Sequence, residues 1–577
     1  MAEYQNPQHE PGSERRLMLI FLVTFIIMLA FQPLLKKYLP TPPAPQKITQ
    51  PQPAQPAPTA PSAAPVTPAV PAGVTKQAPE ETETVIENDL YRITFTNKGA
   101  QVKSWILKKY DNDSENGPLD LVNPGAAALY GYPLSLWTYD EALRNKLSSS
   151  LYVVSEQGQH STPTTITFEY ADRDLAVRKT FRFDNTYIVK IETSVTSKGS
   201  YVPALPAWPS GFGDQVTPAF YATSWIDYQF NKNIERLTSK KISGGATLPG
   251  PFHWAGPTDQ YFAAVFIPDD PAATAMVTLR NPLSIARDSR KDAERANVDV
   301  LGAAVGNLHG PTSERAFVGP KELEVLQKVP VPGVIGADSD LNGLVDFGWW
   351  GILAKPLFVW LKWTFRYIVP NWGWAIVVQT LIISLALLPL RITQMKSMLK
   401  MQRVAPQIKS IQEKYKKYSL RDPRKAAMNE EISALYKKEG VNPAGGCLPM
   451  LIQMPFLFAY YRMLGTALDL RHAHWLWIKD LSAADPIFIL PILMVISSLV
   501  TQRMTPQAGM DPSQQKLMNV MMPLMMGFIF FRLAAGLNLY YAVVNVIGIA
   551  QQAVMNKTHL GQEMREMMAK RARKKDK

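Results

Sequence analysis

The chain has 577 residues, with 61 Lys and Arg against 48 Asp and Glu and one cysteine, Cys447. A single cysteine excludes an intramolecular disulfide and any cysteine-based zinc or iron–sulfur centre, and the length exceeds one domain. The net charge of +13 does not in itself mean nucleic acid, because the excess collects in 391–447 and 557–577, both bordering apolar segments. Anionic lipid heads, ribosomal RNA and translocated chains suit such clusters; DNA is not an expected partner.

Residues 1–16 form a short polar N-terminus. Residues 17–35 (LMLIFLVTFIIMLAFQPLL) follow Arg15 and Arg16 and lack a small-x-small cleavage site, so they read as an uncleaved signal-anchor span. Within 36–79, Pro40–Pro79 holds thirteen prolines and no acidic residue, the composition of a semi-extended tether. From 80 to 341 the pattern becomes short alternating segments: YRITF (91–95), TTITFEY (164–170), VRKTFRF (177–183), YIVKIETSV (187–195), YFAAVFI (261–267) and AMVTLR (275–280). Period-two alternation punctuated by Gly, Pro, Asn and Asp predicts a large antiparallel β-sandwich without a helix of comparable strength.

Residues 346–369 predict an amphipathic helix in the membrane interface. Lys355, Lys362 and Arg366 fall on one stripe, and Trp349, Trp350, Phe358, Trp360 and Trp363 supply aromatic surface. The alternative is a helix packed on the β-domain. Trp372–Leu390 is then nineteen residues without a charge, long enough to cross a hydrocarbon core of ~30 Å.

Residues 391–447 carry thirteen Lys and Arg against five Asp and Glu. Ile408, Ile411, Tyr415 and Tyr418 on one helix face Met428, Ile432, Leu435 and Tyr436 on the next, with Asp422 as N-cap and Pro423 at the first helical position. Further spans are read at about 448–468, 486–502, 517–531 and 533–555, six in all. Basic flanks stay in the cytosol. That rule places the hairpin, loop 503–516, the tail 557–577 and the N-terminus inside, and 80–341 outside.

The spans contain no paired carboxylates, which argues against an ion-coupled pump. They contain mild polarity instead: Gln379, Thr380, Ser384, Gln453, Asn519, Asn538, Tyr540, Tyr541 and Asn545. Each could be an interhelical hydrogen bond worth ~0.6–2 kcal/mol; together they point to a polar, partly hydrated cavity. Met518, Met521, Met522, Met525 and Met526 crowd one span, either as core filler or as a surface for varied apolar partners. The ADSDLNG stretch (337–343) reads as a turn, because Trp349 stands where a calcium loop needs Glu. His472 and His474 read as an interfacial loop rather than a metal site. No metal or cofactor site is expected.

The motifs EGVNPAGGCLPMLIQMPFLFAYYRML (439–464), NWGWAIVVQT (371–380), DPSQQKLMNVMMP (511–523) and GLNLYYAVVNVIGIAQQ (536–552) resemble the YidC/Oxa/Alb family of membrane-protein insertases, in its Gram-negative form. The resemblance is close over about 345–556. It implies a five-span insertase core over 371–556, no enzymatic activity, and residence in the bacterial inner membrane. The implied function is to insert, fold and assemble membrane proteins, alone or with the Sec translocon. Nascent membrane proteins are the implied substrates; the ribosome, the signal-recognition receptor and anionic lipids are further implied partners.

By the same resemblance Thr380 and Tyr541 occupy positions where a hydrophilic groove, open to cytosol and lipid, contacts the passing chain, and the polar span residues Gln379, Ser384, Gln453, Tyr540 and Asn545 are assigned to that groove with them. Met454, Leu457, Met525 and Ile529 belong to an apolar slide. Arg571, Arg573, Lys574 and Lys575 in the tail would meet ribosomal RNA or lipid. The family usually places an arginine four residues after the threonine matching Thr380, and here that position is Ser384. Arg391 is assigned to the cytoplasmic boundary, which leaves the groove without a cation. A transporter or channel with a periplasmic sensor domain is the second function class, and a periplasmic carbohydrate-processing enzyme the third.

Overall fold

A computed structural model describes residues 75–559 except 113–114, 214–223, 232, 287–294, 335, 337–338, 416–417, 419–421, 442–447 and 505–519, together with 562–563 and 566. The anchor 17–35, the tether up to residue 74, Cys447, Met518 and the tail residues Arg571, Arg573, Lys574 and Lys575 lie outside the described residues.

The N-terminal part is built of strands from Glu83 to Pro320 in three sheets. The largest runs from Asn233–Leu237 through Trp225–Phe230, Phe252–Thr258, Phe262–Pro268, Thr312–Pro320, Ile188–Ser197, Leu175–Phe183 and Thr164–Ala171 to Val153–Val154. The expected strands lie in these sheets because their alternation matches the pleat. Along Ile188–Ser197, Val189, Ile191, Thr193 and Val195 point inward and the residues between them outward. Phe262–Pro268 is buried at every position, as a continuous apolar run requires when both sheet faces are covered. AMVTLR extends into a 13-residue strand, Thr274–Ala286. One strand pair, Glu83–Glu87 with Gly158–Ser161, is parallel, against the all-antiparallel expectation.

Two short helices interrupt the strands, Pro124–Tyr130 and Glu141–Ser149. Their starts were signalled locally: Asn123 accepts from the amide of Ala126 and Asp140 from those of Ala142 and Leu143, ordinary N-caps. Inside the domain, fully buried Lys179 donates to the carbonyls of Gly99 (3.2 Å), Leu134 (2.6 Å) and Ala100. Burial pulls its amine down to about 7.

After a one-turn helix, Leu323–Leu326, eight longer helices follow among the described residues: α1 (Gly351–Tyr367), α2 (Trp372–Ala386), α3 (Leu388–Lys414), α4 (Arg424–Lys438), α5 (Leu448–Thr466), α6 (Ile489–Met504), α7 (Met522–Phe530) and α8 (Ala535–Lys557). The segment of α1, with the turn before it, meets α2 at a bend of 118°. Asn371 turns the chain: its side chain accepts from the amide of Trp374 and donates to the carbonyl of His474 at 3.0 Å. Gly373 lets the Trp475 indole lie on α2, since a Cβ there would come within 2.1 Å of the ring.

By length and composition, one described helix, α8, suffices to cross a membrane, or two if α1 and α2 count as one bent span. α2 has 15 residues, which reach ~22 Å. Only Leu387 separates it from α3, whose Pro389 sits in the first turn, where a missing amide is tolerated.

The hairpin helices pair through Val404, Ile408, Met401, Ile432, Leu435 and Tyr436. The Asp422 carboxylate accepts from the Arg424 amide at 3.0 Å, so the capping falls one residue later than expected, with α4 starting at Arg424.

The predicted basic stripe on α1 divides. Lys355 and Arg366 are exposed, but Lys362 is turned inward, 3.3 Å from Asp469 and 3.7 Å from Glu324. Phe358 is buried too. The inner face of α1 packs on α5 and α2 through Ala354, Leu357, Phe358, Leu361 and Thr364, and its outer face presents Ile352, Val359 and Trp363. Hydrogen bonds from Gln260 to the Gly465 carbonyl and from Arg471 to the Asp111 carbonyl join the strands to the helices.

Candidate functional site

Mild polarity inside apolar helices becomes a site only where several helices turn it to one place. Thr380, Ser384, Leu387 and Arg391 recur at i, i+4, i+7 and i+11, one face of a helical path. That face of α2 and early α3 meets Gln453 and Phe456 of α5 and Tyr540 and Val544 of α8. With Ile383 and Leu390, these residues line a cavity of about 30 Å³, room for about one or two waters. Its polar groups are the Thr380 and Ser384 hydroxyls, the Gln453 amide, the Tyr540 phenol and the Arg391 guanidinium.

Arg391 is therefore part of the cavity wall and not merely of a cytoplasmic boundary. Ser384 and Arg391 are seven residues apart, two turns and ~10 Å along one helical face. α8 admits the guanidinium at Gly548, where a Cβ would stand 3.0 Å from Nη1. Among the described residues Arg391 has no carboxylate partner. The cation absent at Ser384 is present two turns away. The seven-residue spacing could have revealed this from the sequence.

Of the remaining groove residues, three lie outside the cavity lining. Gln379 is fully buried, donates to the Leu357 carbonyl of α1 at 2.9 Å and accepts from the Tyr460 hydroxyl of α5 at 2.7 Å. Asn545 donates to Ser498 Oγ at 3.0 Å and Ser497 Oγ at 3.2 Å on α6. Tyr541 packs on Phe530 of α7, ring centroids 5.0 Å apart. Tyr540, its neighbour, stacks on Tyr460 at 4.0 Å and lines the cavity. Thr380 Oγ1 donates to the Ile376 carbonyl at 2.6 Å. The Ser384 carbonyl accepts from Gln551 Nε2 at 3.2 Å, a residue the sequence reading did not single out.

The apolar residues sit on two helices. Met454 and Leu457 are half-buried on α5; Met525 is half-buried and Ile529 exposed on α7. Leu524 and Phe528 extend the exposed face of α7. No group of three or more potential metal ligands occurs among the described residues.

Comparison with known proteins matches both halves of the chain. The family model described as 60Kd inner membrane protein covers residues 363–562, and that described as YidC periplasmic domain covers 83–360. A membrane protein insertase YidC from Maridesulfovibrio salexigens is 31% identical over 94% of this chain and 98% of its own length. One from Geobacter metallireducens is 29% identical over 94% and 98%. A solved structure titled "Active YidC insertase crystal structure with the first transmembrane domain resolved" is 22% identical over 84% of this chain and 95% of that one, with a TM-score of 0.34. The chain belongs to the YidC family of membrane protein insertases, inner-membrane proteins with a periplasmic β-rich domain and a helical C-terminal region, and is not an enzyme.

Proposed function

We propose that the cavity between α2, α3, α5 and α8 is the place where the polar flank of a nascent membrane protein enters the bilayer. The observation that carries this reading is five polar side chains, one of them the cation Arg391, facing one space inside otherwise apolar helices. Carrying one charge to the bilayer centre costs ~2.5–3.5 kcal/mol on the mildest scale. Hydroxyls, an amide and retained water reduce that cost. A cavity of about 30 Å³ is too small for a polypeptide, so the helices around it part during insertion. The apolar segment leaves along Met454 and Leu457 of α5 and Met525 and Ile529 of α7.

The reading includes six spans, with 17–35 as the first, and cytosolic N-terminus, hairpin 391–447 and tail. The Lys and Arg excess in 391–447 and 557–577 supports this orientation. The hairpin and the tail then face the ribosome, the signal-recognition receptor and anionic lipid, and the lateral surfaces of the core face the Sec translocon. Nothing in the reading requires a cofactor or DNA.

The test is photocrosslinking from Ser384 and Gln453 to a stalled nascent single-span protein, with Asn545, engaged by α6, as the comparison. Strong adducts at the first two positions and weak ones at Asn545 are expected. Efficient insertion without adducts at Ser384 or Gln453 would overturn the groove. Topology is tested on a Cys447→Ser background: Leu420→Cys must react with a membrane-impermeant thiol reagent only from the cytosolic side.

A further inference from the structure

The wall of the groove contains a break in its own helix. α2 ends at Ala386 and α3 begins at Leu388. Between them Leu387 takes φ −84° and ψ −2°, the sparsely used region between helix and turn. Pro389 has no N–H to return to the Leu385 carbonyl, and the last carbonyls of α2 need partners from elsewhere. Leu387 itself lines the cavity, with Thr380, Ile383 and Ser384 before it and Leu390 and Arg391 after it. One wall is thus made of two parts joined at a single residue.

The two parts are held unequally. On the α2 side, Gln379 bonds to the Leu357 carbonyl of α1 and the Tyr460 hydroxyl of α5. In the last turn of α2, the Ser384 carbonyl accepts from Gln551 Nε2 of α8 at 3.2 Å. Gln551 Oε1 is buried with no partner among the described residues, so Gln551 grips through Nε2 alone. On the α3 side, Arg391 has no hydrogen-bond or carboxylate partner among the described residues. It meets α8 by contact at Gly548, where a Cβ would stand 3.0 Å from Nη1. Gly548 and Gln551, three apart, share one face of α8, so a single turn of that helix meets both sides of the break. Beyond the break, α3 runs 27 residues to Lys414 and pairs with α4 through Val404 and Ile408. The hairpin is therefore a lever on Leu387.

We propose that Leu387 is a hinge in the groove wall and that Gln551 is the positioning residue that pins its fixed side. α2 stays against α8, while α3 swings with the hairpin and carries Leu390 and Arg391 away from Gln453 and Val544. A terminal residue that absorbs the backbone change is the usual form of such a hinge. The swing opens the cavity toward the hairpin and gives a polypeptide the room that the closed cavity lacks. Its role in insertion rests on that cavity being the entry path; the motion itself does not.

The test uses the full-length protein with Cys447→Ser in lipid nanodiscs, with distances measured between paired spin labels. Lys400→Cys with Val554→Cys spans α3 and α8, and Leu381→Cys with Val554→Cys spans α2 and α8; all three positions are exposed. Lys400 precedes Pro406, the proline inside α3, so bending there does not enter. On engaging a ribosome-stalled single-span protein, the α3–α8 pair should gain a population several ångströms longer while the α2–α8 pair stays unchanged. Gln551→Met should broaden the α2–α8 distances as well. Pro389→Ala restores an N–H facing the Leu385 carbonyl. It should suppress the longer population and slow insertion several-fold for acidic and basic tails alike, without lowering the unfolding temperature. No lengthening, or equal lengthening of both pairs, would overturn the hinge. Unchanged α2–α8 distances in Gln551→Met would overturn the pin. Hinge motion without nascent-chain adducts at Ser384 and Gln453 would support the hinge and refute the groove.

Discussion

The Tyr460 hydroxyl donates a 2.7 Å hydrogen bond to Gln379 Oε1, and both residues are fully buried. Gln379 Nε2 continues the chain to the Leu357 carbonyl in α1, while the Tyr460 ring stacks on Tyr540 in the cavity wall. The helix beside the β-domain is thereby joined to the wall of the groove through two side chains.

Breaking this joint tests whether the wall depends on it. Gln379→Leu keeps volume but removes the acceptor of the buried Tyr460 hydroxyl, at a cost of about 1–3 kcal/mol, whereas the Leu357 carbonyl keeps its helical hydrogen bond. The variant should unfold at a lower temperature and insert acidic-tailed and basic-tailed substrates less well to the same degree. An unchanged unfolding temperature would mean that other contacts position Tyr460.

Arg391 should set the charge preference of the groove. A cation in a low-dielectric cavity acts over several ångströms, so Arg391→Gln should lower insertion of acidic-tailed substrates several-fold relative to basic-tailed ones. Ser384→Ala should change little, because Thr380 and Gln453 keep the cavity polar. Ser384→Arg in the Arg391→Gln background should restore the preference, since both positions share one helical face. Tyr540→Ala should harm both substrate classes. Insertion assays with matched tails measure all four, and equal loss for both tail types in Arg391→Gln would refute the charge argument.

Glu314 gives the β-domain a pH dependence of known sign. Its carboxyl is fully buried, with no hydrogen-bond partner for either oxygen among the described residues. Burial raises it well above the usual carboxylate range, although Lys190 opposes the shift. Below about pH 4 the group is neutral in folded and unfolded chains alike. As pH rises through the unfolded value, only the unfolded chain ionises, so stability falls, by at most about 1.4 kcal/mol per pH unit. Glu314→Gln should match the parent at pH 4 and unfold at a higher temperature at pH 7. The reverse order at pH 7 would show that the carboxylate is ionised and paired.

The tail supplies the last expectation. Removing 565–577, with Arg571, Arg573, Lys574 and Lys575, should reduce co-sedimentation with translating ribosomes at low salt. The effect should vanish as salt rises, because phosphate contacts of this kind are lost with ionic strength. Unchanged co-sedimentation with weakened binding to anionic vesicles would assign the tail to lipid.

The strands of the β-domain were legible because alternation has one geometric solution: Ile188–Ser197 buries every second side chain whatever its neighbours are. The two short helices, Pro124–Tyr130 and Glu141–Ser149, were missed although Asn123 and Asp140 announced them. Nine residues or fewer give too little periodicity to outweigh surrounding strand signals. Hydropathy continues through Leu387 and Pro389, but the backbone bonds of α2 end at Ala386.

What the chain determines locally is which residues are polar and which helix face they share. Thr380, Ser384 and Arg391 lie on one face by periodicity alone. Whether that face meets a cavity, a neighbouring helix or lipid depends on elements far away in sequence. Gln379 is one residue from Thr380, yet its 100° rotation around the helix turns it toward α1 and α5. Tyr541 and Tyr540 divide in the same way between α7 and the cavity. Lys362 left the exposed stripe because Asp469, a hundred residues on, offers a partner that lipid and water do not. Periodicity is a property of the single helix and is written in the chain. Partnership depends on which surfaces pack, and only the closed tertiary structure decides that.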